Sequence, residues 1–180
     1  MSKVLIPLAD GFEEIEAISV VDILRRGGLD VVTAAISKKE VIGANNIKVI
    51  ADTLFDDIQG SDFDAIVLPG GNLGYKNLAQ SDKLLELLKN FDKEGKLIGA
   101  ICAATYVLAK ANVIKSSYTC YPSIELEIGK PGYIDNKDVV VDANIITSRG
   151  PATAVEFTLE LLKHLKDEES AKNIRKGILA

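Results

Sequence analysis

LIGAICAATYVLA, Leu97 to Ala109, decides the fold. An apolar run of strand type ends at Ile101, and a helix-like stretch begins just past Cys102. Gly99, Ala100, Ala103 and Ala104 surround the thiol. A strand that turns sharply into a helix needs small neighbours, because bulky ones collide at the turn. This is the logic of a nucleophile elbow, with a thiol where hydrolases carry a hydroxyl. A helix N-terminus beside the sulfur favours the thiolate. The same residues also suit a buried structural thiol, since free cysteines are commonly packed inside.

Outward from this segment, strand and helix patterns alternate. Lys3–Leu8, Asp30–Ile36, Ala65–Leu68 and Lys96–Ile101 read as buried strands. Glu13–Arg26 reads as a helix with Ile15, Ile18, Val21 and Leu24 at helical spacing, stopped by Gly27-Gly28. Asp82–Asp92 reads as a helix with Leu84, Leu85, Leu87 and Leu88 inward. Val41–Ile50 suggests a hairpin around Ala44-Asn45-Asn46, and Ser116–Ile128 is irregular. Val139–Val141 and Ile145–Thr147 flank a turn at Asp142-Ala143-Asn144. Pro151 opens a helix to about Asp167, and Ala171–Leu179 forms a short terminal one. The alternation predicts an α/β, doubly wound parallel sheet with right-handed crossovers. In such sheets sites form outside the carboxyl ends of the strands. Ala9-Asp10-Gly11, Pro69-Gly70-Gly71 and Ile101-Cys102-Ala103 are the three ends that converge.

Bulk properties narrow the chemistry. The 180 residues, 47% hydrophobic and 26% charged, fit one globular domain spanning 1–180. A net charge of -5 argues against binding nucleic acid, which calls for a basic patch. No apolar run approaches the roughly 20 residues that span a bilayer. MSKVLIPLADGFEE meets acids early and lacks a small-residue cleavage site, so it does not read as a signal peptide; a cytoplasmic location is expected. Two cysteines are no disulfide framework, and with one histidine they make a zinc site improbable. No metal and no cofactor are expected.

Glu16, one turn into the first helix, lies where its carboxylate can reach Cys102. Its neighbours Glu13 and Glu14 read as solvated acids, and from position alone Glu16 suits that role too. A carboxylate beside a thiolate is a like-charge pair, so one proton is shared; the favoured form is a protonated Glu16 donating to a Cys102 thiolate. Gly70-Gly71-Asn72 lets backbone N–H groups approach a ligand and, with the Ala103 N–H, form an oxyanion hole; it also fits an ordinary turn. His164 reads as a surface helix residue, which excludes a Cys–His–Asp or Ser–His–Asp triad. Cys120 in SYTCYPS reads as a packed small residue or a resolving thiol. Arg25, Arg26 and Arg149 are candidates for an anionic substrate or for pairing across a dimer.

Four segments together resemble the ThiJ/PfpI superfamily in its DJ-one branch, bacterial type: DGFEEIEAISVVDILRRGG, VLPGGNLGYKNL, GAICAATYVLA and TSRGPATAVEFTLELL. The resemblance runs from about Lys3 to Leu165. It implies a flavodoxin-like α/β sandwich and a homodimer. It also implies an oxidation-prone nucleophile at Cys102, a protonated partner at Glu16 and oxyanion donors at Gly71 and Ala103. The protease branch carries His directly after its cysteine; Ala103 stands here, which argues against peptidase chemistry. Members near DJ-one carry His before a proline in the region of SYTCYPS, where Cys120 stands close by. Asn45 replaces a family arginine in the hairpin. Two functions are expected from this site. One is glyoxalase- or deglycase-type hydrolysis of small reactive carbonyls by Cys102 and Glu16. The other is an oxidative-stress sensor or redox-dependent chaperone in which Cys102 becomes a sulfinate.

Overall fold

A computed structural model describes residues 2–180. The elements are β1 Lys3–Leu8, α1 Glu14–Arg26, β2 Asp30–Ala35, β3 Glu40–Ile42, β4 Lys48–Ile50, β5 Thr53–Leu54, β6 Ala65–Leu68 and α2 Gly74–Leu78. They continue with α3 Asp82–Lys93, β7 Leu97–Ile101, α4 Thr105–Lys110, α5 Ile124–Ile128, β8 Val139–Asp142, β9 Ile145–Ser148, α6 Ala154–Leu165 and α7 Glu168–Gly177. The main sheet runs β5-β2-β1-β6-β7-β9-β8. Every pairing in it is parallel except that of β8 with β9, which closes one edge as an antiparallel hairpin.

The central strands β1, β6 and β7 are buried along almost their whole length, as strands covered on both faces must be. Helices α1 and α6 pack together, with α7 on α6, while α2, α3, α4 and α5 adjoin one another. Strand order turns back at β1, whose neighbours are β2 and β6. Such a reversal opens a crevice at the carboxyl ends of the strands, where doubly wound folds place their ligands. The architecture is thus the expected flavodoxin-like sandwich, with Cys102 in a short 3-10 turn between β7 and α4.

Helix α1 corrects the sequence reading. Ile15 and Ile18 are 57% and 46% exposed, whereas Glu16, Ala17, Val20, Ile23 and Leu24 turn inward. The helix carries two apolar stripes, and the one that packs is the one that also carries Glu16 inward. In α3 the buried residues are Leu84, Leu88 and Phe91, while Leu85 and Leu87 sit at the margin. Glu13 and Glu14 are not free solvated acids either. Glu13 caps α1 by accepting from the Glu16 N–H at 2.8 Å, and Glu14 is only 6% exposed.

Candidate active site

Three strand ends meet around one thiol. Cys102 follows β7 with φ +62°, a left-handed conformation that costs a non-glycine residue of order 1–3 kcal/mol. That backbone kink puts a nucleophile on a sharp elbow rather than along a strand or helix. The residue is buried, only 7% exposed. The backbone N–H groups of Ala103 and Gly71 face the sulfur and draw its pKa down. Burial and the neighbouring Glu16 carboxyl push it up more strongly, and the net shift is upward.

Glu16 is fully buried. Its Oε2 accepts from the Gly70 N–H at 2.7 Å, and its Oε1 is buried with no hydrogen-bond partner. A buried carboxylate oxygen left without a donor costs free energy, and a proton relieves that cost. Burial raises the Glu16 pKa to about 7, against the lowering contributions of the Gly70 N–H and the Cys102 thiol. Carboxyl and thiol therefore titrate as one unit. The first proton leaves near neutral pH, and the second is held by burial and by mutual repulsion.

Glycine is required here for space. A Cβ on Gly70 would come within 2.8 Å of both Cys102 Cβ and Glu16 Oε2. Gly71, at φ +102°, would drive a Cβ to 2.2 Å from the Gly11 carbonyl oxygen. The glycine pair thus brings backbone N–H donors to the carboxyl and the sulfur, which no bulkier residue could do.

The structure brings Glu16, Gly71 and Ala103 to Cys102, while Arg25, Arg26 and His164 make other contacts. Arg26 pairs with Asp22 at 2.8 Å on the surface of α1, and Arg25 with Asp52 at 3.0 Å. His164 is exposed on α6, with its ring nitrogen 2.9 Å from the Glu160 carbonyl. Cys120 is fully buried, its pKa pushed up to about 12 by burial and by Glu125. Glu125 and Arg149 act on its charge, Glu16 acts on that of Cys102, and both thiols are free. The residue directly before Pro122 is Tyr121, half exposed; with Arg149 it lines a cavity of about 250 Å³. Among the described residues no cluster of three or more His, Cys, Asp or Glu is arranged to hold a metal ion, and no helix is long and apolar enough to cross a membrane.

Comparison with known proteins places this geometry. A family model described as the DJ-1/PfpI family matches residues 2–164. The chain is 40% identical to Drosophila melanogaster protein dj-1beta, over 99% of this chain and 98% of that one. A crystal structure of the same fly protein superposes with a TM-score of 0.95, covering 100% and 99% of the two chains. A Caenorhabditis elegans protein named glutathione-independent glyoxalase DJR-1.2 is 37% identical over 97% of this chain and 94% of its own. An oxidized form of Toxoplasma gondii DJ-1 is 35% identical with a TM-score of 0.92, covering 99% and 98%.

Proposed function

The chain belongs to the DJ-1/PfpI family, and from that premise we propose that it hydrolyses small reactive carbonyls, 2-oxoaldehydes such as methylglyoxal or their adducts, through Cys102 and Glu16. The observation that carries this reading is the fully buried Glu16 carboxyl against the Cys102 thiol, with the Gly71 and Ala103 N–H groups facing the sulfur. The name of the worm relative supports it.

The Cys102 thiolate attacks the aldehyde carbon, and the oxygen that gains charge is met by the Gly71 and Ala103 N–H groups. Glu16 first supplies the proton that makes the hemithioacetal. As carboxylate it then takes the proton from the former aldehyde carbon and returns it to the neighbouring carbon. The product is a thioester of a hydroxy acid, which water cleaves to free the thiol. One aldehyde and one water give one hydroxy acid, with no external oxidant and no cofactor.

We further propose a homodimer in a reducing cytoplasm, where both thiols stay free. Ile15 and Ile18 are exposed on α1, and Ile47 and Ile50, 54% and 79% exposed, on the β3–β4 hairpin that Glu14 ties to it. Apolar residues gathered on two adjoining elements suit a second copy of the chain.

The test is methylglyoxal consumption with lactate detection, comparing native protein with Cys102→Ser and Glu16→Gln. Catalytic lactate formation, abolished by the first change and lowered at least about tenfold by the second, is expected. Loss of one aldehyde per Cys102 without lactate would refute turnover. It would leave the redox reading, in which Cys102 carries a sulfinate that accepts a hydrogen bond from protonated Glu16.

A further inference from the structure

We propose that Glu14 is a positioning residue: it anchors the β3–β4 hairpin to the first turn of α1 and so fixes the Gly70-Gly71 loop and Glu16 against Cys102. This rests on the reading of Cys102 and Glu16 as the reacting pair.

The hairpin is a two-stranded sheet of its own, outside the main sheet. Such a unit is marginal alone and takes its place from what holds it. Glu14 holds the turn of this one. Its Oε1 accepts from the Asn45 N–H at 2.6 Å and the Ile47 N–H at 3.4 Å, and its Oε2 accepts from Asn45 Nδ2 at 3.0 Å. The fit is close, because a Cβ on Gly43 would lie 2.3 Å from Glu14 Oε1. These bonds also hold the carboxyl pKa below its ordinary value although burial opposes them.

The hairpin is stitched along the loop that enters α1. Gly11 N–H donates to the Ile42 carbonyl at 2.7 Å, Ala44 N–H to the Phe12 carbonyl at 2.8 Å, and Ile42 N–H to Asp10 Oδ1 at 2.9 Å. That same loop meets the catalytic glycines. Gly74 N–H donates to the Gly11 carbonyl at 3.0 Å, and Glu13 N–H to the Gly70 carbonyl at 3.0 Å. Gly70 in turn donates to Glu16 Oε2. The path from Glu14 to the reacting pair is thus a continuous set of short backbone contacts.

Position on the helix completes the mechanism. Residues two apart on a helix point about 200° apart. Glu14 and Glu16 therefore clamp the first turn of α1 from opposite sides, one on the hairpin and one on the glycine loop. Without the Glu14 contacts the hairpin side of that turn is held only through the loop before it. A misplacement of about 1 Å at a reacting pair lowers rates by up to about a hundredfold.

The experiment measures the rate of Cys102 alkylation by iodoacetamide against pH, read at the Cys102 peptide by mass spectrometry. It needs no turnover, so its result stands apart from that of the lactate assay. Glu14→Ala and Asn45→Ala are compared with Glu14→Gln, whose amide oxygen still accepts from the hairpin N–H groups while the Asn45 amide rotates to match. Circular dichroism establishes that each variant is folded. Glu14→Ala is expected to slow alkylation about tenfold or more and shift its pH midpoint. Asn45→Ala, which leaves no buried donor unpaired, shifts it in the same direction by less, and Glu14→Gln stays close to native. A folded Glu14→Ala with native rate and midpoint overturns the proposal. Should Glu14→Ala fail to fold, a native midpoint in Asn45→Ala overturns it. Damage by Glu14→Gln equal to that of Glu14→Ala overturns it as well, because charge and not the hairpin anchor would then be the cause.

Discussion

Glu16 buries an ionisable group with one oxygen orphaned, and that is costly wherever the group is charged. Its folded pKa, about 7, lies above its unfolded value near 4.5. Between those values the folded state binds the extra proton, so stability is greatest at low pH and falls as pH rises toward 7. A shift of this size corresponds to about 3 kcal/mol once both states are ionised. Glu16→Gln keeps an acceptor for the Gly70 N–H and carries no charge. The variant is therefore expected to unfold at higher denaturant than native protein at pH 8, with the difference vanishing below about pH 4. Urea midpoints across that range check it, and a constant difference at all pH values would show that burial does not penalise the charge. Cys102 was legible as a residue because Gly99, Ala100, Ala103 and Ala104 leave so little bulk around an elbow. Glu14 was not legible, because its partner Asn45 lies 31 residues away and nothing local marks the acid as an anchor.

At the scale of elements, apolar runs announced the central strands, since parallel strands covered on both faces need no alternation. The short pieces β5, with 2 residues, and α2, with 5, escape any periodicity. Their existence follows from neighbours: β5 pairs with β2, and α2 packs on α4. The face of α1 was misread for a different reason. Ile15, Ile18 and Val21 form as good an apolar stripe as Ala17, Val20 and Leu24, and spacing cannot choose between two stripes. The choice is made in three dimensions, where Glu16 must reach the Gly70 N–H. The stripe not chosen remains at the surface with Ile47 and Ile50.

At the scale of the whole molecule, that leftover stripe argues for assembly. Four isoleucines are exposed on two elements tied together by Glu14, a surface suited to a second copy of the chain. Ile18→Glu, which places a charge in the stripe without touching the core, is expected to convert a dimer to monomers in analytical ultracentrifugation. A native protein that sediments as a monomer at micromolar concentration would contradict the assembly. The same placement explains how hairpin, loop and helix converge on one thiol. The switch of strand order opens the crevice beside β1, the glycine loop after β6 supplies donors, and β7 delivers Cys102 at the elbow.

The central claim is that Cys102 and Glu16 share one proton and react as a unit. The direct measurement is the pH dependence of Cys102 alkylation in native protein and in Glu16→Gln. The native profile is expected to show a step near 7, where the pair loses its first proton from Glu16 and the environment of the sulfur changes. In the variant the step near 7 is gone, and the thiol ionises alone in a buried site that still holds it above the ordinary thiol value of 9.0. Identical profiles in the two proteins would contradict the account, because the carboxyl would then have no part in the state of the sulfur.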